Sequence, residues 1–154
     1  DNHWPQYESA LKLSEQVVLA TENKDTETVA NLLAKVHEDK VPVLEYNSES
    51  ALRYVVLIAY LAAEKDYLAP LNEFPTGKGF ADIVYLPKKV SKNGKPALII
   101  ELKKDASAKV ALEQIKERDY VSRVKEYTDN ILLIGINYDS KTKQHSCTIE
   151  EYSK

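Results

Sequence analysis

Two segments decide the fold: Gly79-Phe80-Ala81-Asp82-Ile83-Val84 and Ile99-Ile100-Glu101-Leu102-Lys103-Lys104. Both have the apolar character of buried strands, yet each carries an acid in its interior. Side chains along a strand point alternately to its two faces, so Glu101 and Lys103 share one face and Leu102 takes the other. A charge on a buried strand is costly unless it is paired or holds a metal. Asn93-Gly94 lies between the segments and is a strong hairpin signal. Pairing the two strands through that loop predicts Asp82 opposite or near Glu101. Two carboxylates that close repel each other unless a cation lies between them. An oxygen-ligated divalent ion resolves the repulsion, and Mg2+ suits a site of few carboxylates because it keeps several waters.

On the N-terminal side, Tyr67 to Phe74 reads as a strand interrupted by Pro70, which places it at an edge or a bulge. Thr76-Gly77-Lys78-Gly79 supplies a turn. Phe80 to Leu86 is a second strand and Ala97 to Lys103 a third, whose opening Ala-Leu-Ile-Ile is that of a central strand. Ala106 to about Tyr127 then reads as a long helix with Val110, Ala111, Ile115, Val121 and Val124 toward the core. A strand at Ile131 to Asn137, a turn at Asp139 to Gln144 and a last strand at Ser146 to Tyr152 complete the chain. Ahead of the strands, a helix opens at Asn47 or Ser48 with Glu49 in its first turn. Leu52, Val55, Val56, Ala59, Tyr60 and Ala63 follow its i, i+3, i+4 rhythm to about Lys65. This order predicts an α/β fold with an α-β-β-β-α-β core. An antiparallel meander is joined through a helical crossover to a parallel strand, giving a mixed β-sheet flanked by helices.

Two earlier helices precede that core. One runs from Tyr7 to about Asn23. The other is capped by Asp25 or Thr26, carries Val29, Leu32, Leu33 and Val36, and gives way at Lys40-Val41-Pro42-Val43. They read as a short helical N-terminal extension, residues 1–45, ahead of a domain at 46–154.

A chain of 154 residues can build one hydrophobic core, and 44% hydrophobic with 29% charged residues is ordinary for a globular protein. No apolar run approaches the roughly 20 residues of a membrane-spanning helix. Cys147 is the single cysteine, which excludes an intrachain disulfide and a cysteine-based zinc site and points to the reducing cytoplasm. A formal charge of -3 argues against a strong autonomous grip on nucleic acid, which is normally carried by a basic surplus. The absence of methionine and the start at Asp1 predict a piece of a longer polypeptide. His3, His37 and His145 are far apart, show no ligand spacing and read as surface residues. Lys88, Lys89, Lys92 and Lys95 read as a solvated hairpin loop.

Asp82 followed by Glu101-Leu102-Lys103 resembles the PD-(D/E)XK nuclease signature: an acid, a variable gap, then acid-x-Lys. More narrowly, the chain resembles the nuclease-like domain found C-terminal to AAA-ATPase-like domains in many bacterial proteins. The residues that carry this likeness are Asn47-Ser48-Glu49, Glu73 with Thr76-Gly77-Lys78-Gly79, Asp82-Ile83-Val84 and Ile100-Glu101-Leu102-Lys103. Ala111-Leu112-Glu113-Gln114-Ile115, with Tyr120, continues it, and the whole spans Tyr46 to Asn137. The resemblance implies a restriction-endonuclease-like fold and a Mg2+ or Mn2+ ion held by Asp82 and Glu101, with Glu49 as an auxiliary acid. It implies Lys103 as the catalytic lysine and Gln114 and Tyr120 as lining residues. It further implies hydrolysis of phosphodiester bonds in DNA or RNA, with an ATPase-like domain of the parent chain as partner. Phe80 departs from the pattern, because related sequences usually carry an arginine there. That departure keeps an alternative open: a catalytically inactive nuclease-fold module that binds or regulates.

Overall fold

The computed structural model describes residues 3–40, 49–76, 79–89, 94–117, 121, 124, 125 and 127–152. For some of these, including Glu49, Glu73, Phe80 and Asp82, the backbone alone is described. Helices α1 (His3–Glu22), α2 (Thr26–Lys40) and α3 (Glu49–Ala59) lead through a 3-10 turn (Leu61–Lys65) to strands β1 (Leu71–Thr76), β2 (Gly79–Tyr85) and β3 (Ala97–Lys104). Helix α4 (Ala108–Glu117) follows, then β4 (Ile131–Asp139) and β5 (Gln144–Glu151). The five strands lie in the order β1-β2-β3-β4-β5. All neighbours are antiparallel except β3 and β4, which are parallel. The mixed sheet expected from the element order is the one found, and the crossover that makes one pair parallel is the segment containing α4.

Local chemistry explains several element boundaries. Asp25 caps α2: its Oδ1 accepts the Thr28 N–H at 3.2 Å and its Oδ2 accepts the Thr28 hydroxyl at 2.6 Å. Those bonds hold its carboxyl below the usual carboxylate range. Gly94 takes the positive φ of 86° that the loop before β3 requires. The strand expected from Tyr67 begins only at Leu71, after Pro70; Tyr67 makes an isolated bridge to Pro87. Asn47 and Ser48, the expected caps of α3, lie outside the described residues.

The sheet has an apolar layer on each face. On one face Ile83, Tyr85, Leu98, Ile100, Leu102, Ile134 and Ile136 pack against α1, α2 and α3 through Val17, Leu33, Leu52, Val55 and Val56. The segment read as an N-terminal extension therefore shares a continuous core with the sheet. Polar contacts reinforce that union. Thr21 Oγ1 and Tyr60 Oη lie 2.7 Å apart, Ser14 Oγ accepts the Ala62 N–H at 2.6 Å, and Lys95 Nζ reaches Glu22 Oε2 at 2.8 Å. On the other face Val84, Ala97, Ile99, Ile131 and Leu133 pack against Leu112 and Ile115 of α4 and against Val121 and Val124. Val110, expected in that layer, points outward and is 47% exposed. The helical face toward the sheet is set by Ala108, Ala111, Leu112 and Ile115, and Val110 falls on the far side of it.

Candidate metal centre

The α4 face of the sheet changes character toward the carboxyl ends of β3 and β4. Along β3 it presents Ala97 and Ile99, then Glu101 and Lys103; along β4 it presents Ile131 and Leu133, then Gly135 and Asn137. Glu101 is 2% exposed and Lys103 is half-buried. In register, Glu101 sits beside Gly135 and Lys103 beside Asn137. The antiparallel pairing of β2 with β3 is recorded from Tyr85↔Leu98 to Ile83↔Ile100. One further step of that register sets the backbone of Asp82 opposite Glu101, on the same face as Val84 and Ile99. Leu102 points into the opposite core, as the alternation requires.

Gly135 makes room for the helix. A Cβ at this position would lie 2.2 Å from the Ala108 carbonyl oxygen and 2.9 Å from the Leu112 nitrogen. The first turn of α4 therefore rests directly on β4, one strand from Glu101. This brings the positive end of the helix dipole close to the acidic row. Ser107 caps that turn, its Oγ accepting the Val110 N–H at 3.0 Å. Asn137, 4% exposed, accepts the Ala106 N–H on Oδ1 at 3.1 Å, which ties the end of β4 to the junction between β3 and α4. Gly135 and Asn137 have no part in the sequence expectations. A glycine within the apolar run Ile131 to Ile136 is the one signal in the sequence that marks a close approach there.

Gln114 is half-buried on a flank of α4. Lys116, two residues on and about 200° around the helix, forms an ion pair of 2.7 Å with Glu150 of β5. Gln114 therefore occupies the flank away from β5. Glu49 opens α3, which packs on the opposite face of the sheet from Glu101. Its side chain, and the whole of Tyr120, lie outside the described residues.

The fold does bring together two of the three histidines, but elsewhere. His37 of α2 and His145 of β5 have ring centroids 6.1 Å apart, and the Tyr138 ring lies 4.9 Å from that of His145. Both histidines were expected at the surface, and both are partly buried. Burial, and then His37, push the His145 imidazole down to about 4. The group lies on the α2 face, away from Glu101 and Lys103.

A family model described as the PD-(D/E)XK nuclease superfamily matches residues 48–147, which include all of β1 to β4 and α4. The chain belongs to the PD-(D/E)XK nuclease superfamily. Its mixed sheet with helices on both faces is the restriction-endonuclease-like fold, and its function is accordingly nuclease-like. No curated protein matches the chain. PD-(D/E)XK nucleases generally use divalent metals. Among the described residues no group of three or more His, Cys, Asp or Glu side chains forms a metal site. The donor chemistry still fits the superfamily's requirement. The buried carboxylate of Glu101 on β3 is the kind of oxygen donor that a hard, well-hydrated ion takes.

Proposed function

We propose that this PD-(D/E)XK domain is a Mg2+-dependent phosphodiesterase acting on nucleic acid. The observation that carries the reading is Glu101. A carboxylate 2% exposed lies at the end of a central apolar strand with Lys103 two residues on, and continuing the pairing of Ile83 with Ile100 by one step would bring the Asp82 backbone opposite it. Desolvating a carboxylate to that degree is expensive, and an ion-binding role accounts for keeping it there. In this reading Asp82 and Glu101 hold the ion, and Glu49, which opens a helix on the other face of the sheet, is not assigned to it. When bound, the metal supplies Lewis-acid polarisation of a phosphoryl oxygen. Lys103, half-buried beside Asn137, places an ammonium where negative charge develops on the phosphate, a role that gains strength in a partly dry site. Gln114, half-buried on a flank of α4, lines the site in this reading.

Calorimetric titration with Mg2+ or Mn2+ tests the first half of the proposal. Wild-type protein is expected to bind and Glu101→Ala to lose binding; a wild type that binds neither ion refutes the metal centre. Turnover is tested on single- and double-stranded DNA and RNA, with Lys103→Ala as the control. A second reading is favoured by two features, Phe80 in place of the usual arginine and the net charge of -3. In it the same fold binds metal without cleaving and serves as a contact module for an ATPase-like domain of its parent chain. Metal binding with no cleavage of any substrate selects that reading.

A further inference from the structure

We propose that Asn137 is the positioning residue of the acidic centre, holding the strand end that bears Glu101 and Lys103 in register with the start of α4. The inference rests on the reading of Glu101 and Lys103 as the working groups.

Asn137 interrupts an otherwise apolar and aromatic strand, between Ile136 and Tyr138, and is one of few polar residues buried among those described. Its position is specific. It faces α4 along with Glu101, neighbours Lys103 in the parallel register, and follows Gly135, the neighbour of Glu101, by one step on the same face. Its Oδ1 takes the N–H of Ala106, the third residue after Lys103 and the second before α4 begins.

The junction is braced on either side of this bond. Asp105 adopts a positive φ of 56°, donates its N–H to the Tyr138 carbonyl at 2.8 Å and accepts the Ser140 N–H at 2.6 Å. The Ser140 hydroxyl adds a bond of 2.8 Å to the same carboxylate. The Ser140 contacts lie at the exposed rim, where water competes for them. The Asn137 bond is made by a nearly buried side chain whose own residue is the register partner of Lys103. Two roles therefore separate: the Asp105 contacts close the turn, and Asn137 sets where the strand end and the helix start meet. Reacting groups must be held within about 0.5 Å of productive geometry, so slack at Ala106 falls on turnover more than on binding.

The experiment compares the whole chain as wild type, Asn137→Ala and Asn137→Asp. The aspartate keeps an acceptor at Oδ1 and drops the amide donor. Amide hydrogen exchange over residues 101–107 is read without metal, Mn2+ affinity by calorimetry, and kcat and KM on bis(p-nitrophenyl) phosphate. Rates are taken at each variant's own pH optimum, because a new carboxylate beside Lys103 displaces the profile.

N137A is expected to exchange faster at Ala106 and to lose about tenfold or more in kcat, the cost of a small misplacement. Its KM and Mn2+ affinity should move less than about twofold, since ground-state contacts remain. N137D is expected to regain exchange protection and most of the turnover. Unchanged exchange in N137A overturns the proposal, as does equal loss of turnover in both variants. If N137A does not fold, N137D decides alone: protection and turnover near wild type support the brace, and loss of both overturns it. A wild type that neither binds Mn2+ nor cleaves the diester refutes the proposed function, and the exchange data then decide the brace by themselves.

Discussion

Replacing Gly135 with alanine tests how tightly α4 is seated on the acidic row. The added methyl would lie 2.2 Å from the Ala108 carbonyl oxygen and 2.9 Å from the Leu112 nitrogen. Both are backbone atoms, so no side-chain rotation relieves the contact. Bringing the shorter distance to 3.0 Å, the lower limit of real contacts, requires a displacement of about 0.8 Å between helix and sheet. The layer that must yield contains Leu112, Ile115, Ile99 and Leu133, all buried. Overpacking of this kind costs about 1–3 kcal/mol. For a domain of this size, a loss of about 2 kcal/mol lowers Tm by about 4–8 °C. Thermal unfolding followed by circular dichroism reads the stability, and Mn2+ calorimetry on the folded protein reads the centre. The expected result is a lower Tm together with weakened ion binding, because the start of α4 is pushed off the strand beside Glu101. A Gly135→Ala protein that melts with the wild type would refute the claim that α4 lies directly on β4.

Three further outcomes follow from the same geometry. Leu102→Ala removes a fully buried side chain from the face opposite Glu101. It should cost about 2–5 kcal/mol in urea denaturation while leaving Mn2+ affinity intact, and coupled loss of affinity would contradict the two-faced assignment of β3. Thr21→Val keeps the shape but strips the partner of the buried Tyr60 hydroxyl. A loss of about 1–3 kcal/mol is expected; an unchanged denaturation midpoint would mean that α1 contributes nothing to the main core. His145 binds its proton less readily when folded, at about 4 against an ordinary 6.5, so the unfolded chain takes up more protons across that interval. Its contribution to stability is therefore complete above pH 6.5 and declines as pH falls toward 4. Urea midpoints between pH 7 and pH 4.5 should show this decline, and His145→Gln should flatten it; an equal slope in the variant would place its origin elsewhere.

Much of this protein was legible in one dimension. The α-β-β-β-α-β order, the antiparallel pairing of β2 with β3 and the shared face of Glu101 and Lys103 all follow from periodicity and turn chemistry. Those quantities are local or nearly so: a strand alternates whatever it packs against, and consecutive strands joined without a crossover helix pair antiparallel. Other features depend on residues remote in sequence. Which face of α4 meets the sheet was decided by the fit of Ala108 and Leu112 over Gly135, and that fit turned Val110 outward against its hydrophobicity. The union of α1 and α2 with the sheet depends on contacts such as Thr21 with Tyr60 and Glu22 with Lys95, separated by 39 and 73 positions. The pairing of His37 with His145 has the same origin. Asn137 could not be singled out from the sequence, since its role exists only where the end of β4 meets the turn after Lys103. The sequence by itself determined the common face of Glu101 and Lys103. Tertiary packing decided what surrounds them, because helix seating and long-range hydrogen bonds are set by how separate surfaces fit, and no local pattern encodes that fit.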